Sequence, residues 1–248
     1  MKWFIHEGHG GKDVGAVGAT GLYEKDVTLK VAQKLAKILE THGQEVILAR
    51  GKDMDLKSYD AANTANRLNV DYVASIHCNS ATNPNATGTE IFAYSTTSKG
   101  KPLAQLVQKN LVNEIKLPNR GVKYNSSFAI LAKPTAPAIL VEIAFINNPR
   151  EEALLRDDKF LDKVAIGIAK GLLEHIKLKY NATAGIPTPT TKPTDKALQD
   201  IKVNIRGKNT ILKGIFKDGT NYVAIRDIAE ILGLTVEWNE LTQTAVIR

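Results

Sequence analysis

The sequence predicts an α/β domain, with a mostly parallel sheet flanked by helices, followed by a small α+β module. Three observations carry this reading. Over residues 1–180, short apolar runs alternate with amphipathic helical segments, the pattern that builds a parallel sheet through crossover helices. Residues 181–197, NATAGIPTPTTKPTDKA, hold three prolines among threonines and lack a large apolar cluster. Such a stretch stays extended and forms no core, which makes it an inter-domain linker. Residues 198–248 then return to strand and helix signals.

The elements follow in order. Trp3-Phe4-Ile5 opens as a strand, and Leu29, Ala32, Leu35, Ala36 and Leu39 recur at helical spacing before Gly43 ends that helix. Val46-Ile47-Leu48 is a strand, 55–68 a helix, and Val70 to Ile76 and Glu90 to Tyr94 are strands. Leu103, Leu106, Val107, Asn110 and Leu111 mark a further helix, and Ile139-Leu140-Val141 a further strand. Asn148-Pro149-Arg150-Glu151 is a helix start, with Asn at the cap, Pro at the first helical position and Glu in the first turn. A long amphipathic helix runs from about 158 to 178. Beyond the linker, Arg226 to Leu232 reads as a helix stopped by Gly233, and Thr235 to Trp238 as a strand.

Composition narrows the function classes. The 248 residues are 43% hydrophobic and 24% charged, an ordinary globular balance rather than a disordered one. The formal charge of +7 favours anionic partners. It is dispersed, however, with 24 basic and 19 acidic side chains in residues 1–180, and no like-charge stripe speaks for nucleic acid. One cysteine, Cys78, excludes an intramolecular disulfide framework. No apolar run is long enough to span a bilayer. Only three apolar residues precede the first polar group after Lys2, too few for the core of a secretory signal. The expectation is synthesis in the cytoplasm without a membrane anchor.

Candidate chemistry sits where open α/β sheets gather ligands, beyond the carboxyl ends of their strands. His9 follows the first strand, His77 follows the strand ending at Ile76, Glu142 follows Ile139 to Val141, and Glu24 lies just ahead of the first helix. Two imidazoles and a carboxylate suit zinc and leave a fourth position for water, whose pKa the metal lowers towards about 7. A further carboxylate beside it can shuttle the proton to a leaving amine. A histidine after a strand is also an ordinary structural residue, so spacing alone leaves both readings open.

The ordered motifs decide between them. GHGGKDVGAVG around His9, GLYEKDVTL around Glu24, SIHCN at 75–79, LPNRGVK at 117–123 and VEIAF at 141–145 occur in this order over about residues 1–178. The set resembles the zinc-dependent N-acetylmuramoyl-L-alanine amidase family of sporulation, division and phage endolysin enzymes. The resemblance implies hydrolysis of the amide between the lactyl group of N-acetylmuramic acid and L-alanine in peptidoglycan. It implies zinc on His9, Glu24 and His77, and Glu142 as the catalytic glutamate. With no signal peptide expected, it further implies an endolysin that reaches the wall after release, its positive charge suiting anionic wall polymers. The alternatives are a sporulation or autolytic amidase, a zinc peptidase cutting stem peptides, or a non-catalytic wall-binding protein.

The match has departures. His6 stands where the family's first motif usually has aspartate, and is expected to support the site from behind or to compete as a ligand. Glu7 reads as a solvated loop residue, and Ala144 replaces a common glycine. Asn79, on the same side of the extended segment as His77, and Arg120, with Lys123, are candidates to bind substrate, with turn and solvated-loop roles as the alternatives. Gly10, Gly11, Gly15 and Gly18 read as turn formers rather than a phosphate cradle. Strand alternation turns Cys78 away from His77 into a buried position, and His42 and His175 read as surface residues. The segment NYVAIRDIAEILGLTVEWNELTQTAVI resembles the small domain named after the amino-terminal stalk of copper amine oxidases. No histidine or cysteine follows His175, so copper is not implied, and the expected role is wall targeting or passive stability.

Overall fold

A computed structural model describes residues 1–182 throughout. Beyond them it describes 199–205, 208–217, 220–223, 228, 229, 231–234, 236–239 and 244–247. The chain divides into two compact units, Met1–Ile186 and Pro187–Arg248.

The first unit is built on one six-stranded sheet. Its strands are β1 (Lys2–Glu7), β2 (Glu45–Leu48), β3 (Tyr72–Asn79), β4 (Thr89–Ala93), β5 (Asn119–Tyr124) and β6 (Ala138–Phe145). Their spatial order is β2-β1-β3-β6-β4-β5. All neighbours are parallel except β4 and β6, which run antiparallel. The mostly parallel α/β architecture expected from the alternation is therefore present, with one reversed strand pairing inside it.

The helices are α1 (Glu24–Thr41), α2 (Ser58–Arg67), α3 (Gly100–Ile115), α4 (Ala129–Ala132), α5 (Pro149–Arg156) and α6 (Asp158–His175). Side chains alternate across the sheet, so each strand feeds two cores. Ile5, Ile76, Ile91, Val141 and Ile143 are buried with the apolar faces of α1, α3 and α6. Phe4, Val73 and Leu140 pack instead with the alanines of α2 and with Ile130 and Leu131 of α4. Each fully buried Leu, Ile or Val side chain contributes about 1.5–3 kcal/mol relative to exposure. Cys78 is buried in the first of these cores, as alternation required.

Helix boundaries follow local chemistry. The side-chain oxygen of Asn148 accepts from the N–H groups of Arg150 and Glu151, and Pro149 occupies the first turn of α5. Gly43, at φ +72°, takes the left-handed turn that stops α1. The strand β5 was not foreseen: NRGVKY is largely exposed and offers no apolar alternation. His42 and His175 are half-buried rather than surface residues, His42 stacking on Tyr180 and His175 meeting Tyr72 edge-on.

The second unit contains an antiparallel three-stranded sheet, β7 (Gln199–Ile205), β8 (Lys208–Lys217) and β9 (Thr220–Val223). A separate antiparallel pair joins β10 (Val236–Asn239) to β11 (Thr244–Ile247). Ile228, Ala229 and Ile231 have helical backbone. The rest of the expected 226–232 helix falls mostly outside the described residues, as does nearly all of the expected linker.

Candidate metal centre and active site

The register of three central strands brings the candidate residues to one face. His6 lies opposite Ser75, and His77 opposite Glu142. Glu142 in turn lies opposite Glu90 of β4. By alternation these residues share the face of Phe4, Val73 and Leu140. His77 and Glu142 lie within β3 and β6 rather than beyond them, because the parallel ladder between the two strands continues through this pair. The register then slips between His77 and Asn79, an irregularity of the kind that re-aims side chains next to active sites.

His9 reaches the same place from the turn after β1. Its backbone is left-handed, at φ +64°, a conformation that costs a non-glycine residue energy and is held by its surroundings. Its Nδ1 lies 2.9 Å from Asp13 Oδ2, which orients the ring and leaves Nε2 for the cluster. Glu24 is the first residue of α1, where the helix N-terminus favours a carboxylate. Its backbone N–H donates to Ala16 O while its Oε2 accepts from the Ala16 N–H at 2.8 Å, closing the intervening loop. Its Oε1 accepts from the Cys78 N–H at 2.9 Å.

These residues converge. Glu24 Oε2 lies 3.3 Å from His9 Nε2, and Glu24 Oε1 lies 3.0 Å from His77 Nδ1. One ligand atom from each of His9, Glu24 and His77 falls within 4.8 Å of the others. Two neighbouring glycines are required at this distance. A Cβ on Gly8 would stand 2.3 Å from the His77 ring, and one on Gly15, at φ +68°, would stand 2.7 Å from Glu24 Oε2.

The electrostatics match the geometry. Burial and the neighbouring His9 and His77 act oppositely on the Glu24 carboxyl. Hydrogen bonds with both rings prevail and hold it far below the usual range. Burial disfavours the protonated His9, but Glu24 and Asp13 outweigh it and raise its pKa to about 9. Burial first, then the charges of Glu24 and Glu90, push Glu142 well above the usual carboxylate range. His77 Nε2 and Glu142 Oε2 are shielded atoms with no hydrogen-bond partner among the described residues. An orphaned imidazole nitrogen beside an ionised carboxylate and a second imidazole is a donor set that suits a divalent cation.

The structure favours the supporting role expected of His6 over its alternative as a ligand, and it corrects the reading of Glu7. His6 does not join the ligand cluster: it is fully buried, its Nδ1 bonds Ser75 Oγ at 2.7 Å, and its ring centroid stands 6.0 Å from that of His77. Its pKa is lowered to about 3, by burial first and then by His77, His9 and Arg50, so it is a neutral buttress. Glu7 is not a solvated loop residue. It is buried and accepts from the N–H groups of Arg50 and Gly51 at 3.2 and 2.9 Å, tying the end of β1 to the loop after β2. Nothing near Glu7 in the sequence pointed to partners 43 and 44 residues away.

Asn79 and Arg120 are each bound to Glu90, a residue in which the sequence pattern showed no sign of a site. Asn79 Nδ2 donates to Glu90 Oε1 at 2.6 Å, and Arg120 Nε donates to Glu90 Oε2 at 2.9 Å. Lys123 is exposed. Only the Glu-x-x-x-Tyr strand signal marked Glu90, and it carried no hint of a site.

A model of the N-acetylmuramoyl-L-alanine amidase family matches residues 4–174, which take in the sheet from Phe4 onward and all four chemistry-bearing residues. The chain belongs to the N-acetylmuramoyl-L-alanine amidase family. Relatives agree. The endolysin of Bacillus phage SPP1 is 34% identical over 201 residues, covering 78% of this chain and 72% of that protein. The sporulation-specific amidase of Bacillus subtilis (strain 168) is 33% identical over 189 residues, covering 75% and 72%. Among solved amidase structures, the catalytic domain of CwlV from Bacillus (Paenibacillus) polymyxa var. colistinus superposes with a TM-score of 0.68 at 34% identity. That match covers 72% of this chain and 99% of the other. An amidase from Clostridium difficile 630 gives 0.68 at 37% identity, covering 71% and 96%. Family membership makes the chain an amidase, and the His9–Glu24–His77 cluster is a possible metal site within it.

Proposed function

We propose that this amidase hydrolyses the amide between the lactyl carbonyl of N-acetylmuramic acid and L-alanine in peptidoglycan, with zinc held by His9, Glu24 and His77. The observation that carries the reading is the pairing of that cluster with Glu142, the residue directly opposite His77 in the sheet, whose Oε2 is shielded and has no hydrogen-bond partner among the described residues. Bound there, zinc would lower the pKa of a coordinated water towards about 7 and polarise the muramoyl carbonyl.

The chain's own residues do the rest. Asp13 orients the His9 ring through Nδ1, and the Cys78 and Ala16 N–H groups hold both oxygens of Glu24. Glu142 Oε2 takes the proton of the attacking water and passes it to the departing amine nitrogen of L-alanine. A carboxyl group whose proton affinity is raised is fitted to both halves of that transfer. The acyl carbon thereby gains a hydroxyl, the C–N bond breaks, and the products are a lactyl carboxylate and a free L-alanine amino terminus.

Asn79 and Arg120 are proposed to meet the peptide stem, Arg120 through its positive charge. The second unit is proposed as a wall-targeting module behind a linker, with domains at 1–180 and 198–248. The finer role we propose is that of an endolysin, acting at the wall after release. The extended likeness to the phage SPP1 endolysin supports it. Among the described residues no helix is long and apolar enough to cross a membrane. Chelation tests the metal: removing zinc should abolish turnover and adding it back should restore it, whereas full activity in excess chelator would contradict the assignment.

A further inference from the structure

Glu90 is a buried carboxylate that the proposed chemistry does not use, 5% exposed. It stands on β4 directly opposite Glu142 on β6, so the two side chains share a sheet face. Each of its oxygens has a separate task. Oε1 accepts from Asn79 Nδ2 at 2.6 Å, and Oε2 accepts from Arg120 Nε at 2.9 Å. An ionised carboxylate offers acceptors only, so the Asn79 amide must turn its NH2 group towards Glu90. Its carbonyl oxygen is then held on the other side of the amide group, as an acceptor suited to a peptide N–H.

Arg120 is fixed just as closely. Its guanidinium lies over the Phe145 ring, 4.8 Å from the centroid, and its Nη1 donates to Thr87 O at 3.4 Å. Nε and Nη1 are engaged and the side chain is 40% exposed, which suits the guanidinium to offer its remaining N–H groups to a carboxylate. Without Glu90, Arg120 would be a long, rotamer-rich side chain and Asn79 an amide with no fixed sense.

Building on the amidase reading, we infer that Glu90 is the positioning residue that sets Asn79 and Arg120 as one unit beside Glu142, an acceptor for a stem amide N–H and a donor edge for a stem carboxylate. Glu90 touches no reacting atom in this assignment. It acts through the two residues that it orients, and preorganisation of this kind appears in substrate affinity before it appears in the chemical step.

The test uses the full-length zinc-loaded chain and a soluble muramoyl tripeptide with a free stem carboxylate. Glu90→Ala should bind one equivalent of zinc as wild type does and raise KM by roughly 30-fold, the scale of losing charged hydrogen bonds, with kcat changed by less than about threefold. Asn79→Ala and Arg120→Ala should each raise KM in the wild-type background. Either one should add less than about twofold on top of Glu90→Ala, because residues acting as a unit are not additive. Glu90→Gln, which keeps shape and folding, can accept from only one of the two partners and should fall between wild type and Glu90→Ala. An unchanged KM in both Glu90 variants, or effects that multiply independently, would overturn the assignment while leaving the amidase reading intact. A wild-type protein that binds zinc but releases no L-alanine amino termini would overturn both.

Discussion

At the scale of single residues, the site is a set of groups whose ordinary preferences are suppressed by their neighbours. His9 sits in left-handed backbone, Glu24 stays ionised in a buried position, and Glu142 Oε2 lacks a hydrogen-bond partner among the described residues. In the proposed mechanism each cost is matched by a role in holding or serving a cation and a proton. Glu142→Gln should therefore retain zinc, measured by atomic absorption, and lose at least about a hundredfold in turnover, the scale of removing a general base. Turnover near wild type would reject Glu142 as the proton carrier. Gly8→Ala tests the packing behind the metal: its Cβ would stand 2.3 Å from the His77 ring, so the variant should lose zinc affinity even though no ligand is changed. Unaltered zinc binding would show that the ring has room to move.

At the scale of elements, the apolar periodicity of β1, β3, β6, α1, α3 and α6 was legible, because core burial imposes it directly on the sequence. The capped start of α5 was legible for the same local reason, Asn148 and Pro149 acting within their own turn. What escaped was long-range and polar. The edge strand β5 is exposed, so burial left no pattern on it. Glu7 reads as solvated, Glu151 only as a first-turn helix residue, and nothing in the pattern singles out Glu90 or Glu152, yet all four are buried on partners far along the chain. Glu151 accepts from the N–H groups of Gly88 and Phe145, joining the start of β4 to the end of β6.

Glu152 clamps the loop ahead of α1, accepting from Thr20 N at 2.9 Å and Leu22 N at 3.2 Å, with Arg156 at 3.0 Å. Burial pushes its carboxyl up, but the hydrogen bonds from Thr20, Leu22 and Arg156 prevail and hold it below its ordinary value of 4.5. A depressed folded pKa means stability that is complete above the unfolded value and lost as pH falls through the folded one. Glu152→Ala should thus destabilise the first unit by about 2 kcal/mol near neutral pH. The difference from wild type should shrink as pH drops below 4.5. Denaturant unfolding at several pH values measures both, and a difference independent of pH would contradict the clamp.

At the scale of the whole molecule, the sheet gathers the chemistry into residues 1–182, and the family match ends at residue 174. A 1–182 fragment should therefore hydrolyse a soluble muramoyl peptide at close to the full-length rate and act more slowly on intact walls, as a targeting role for the second unit requires. Equal rates on walls would leave that unit a passive appendage. Net charge of +7 pointed only to an anionic partner; the ordered motifs around His9, Glu24, His77 and Glu142 identified which one, since chemistry needs particular residues in one place and charge does not. The most direct test is mass spectrometry of purified walls digested by the zinc-loaded full-length chain. The account predicts glycan strands stripped of their stems, with a free lactyl carboxylate on muramic acid and a new L-alanine amino terminus on each released peptide. Cleavage within the stem or cross-link, with L-alanine still joined to muramic acid, would contradict it.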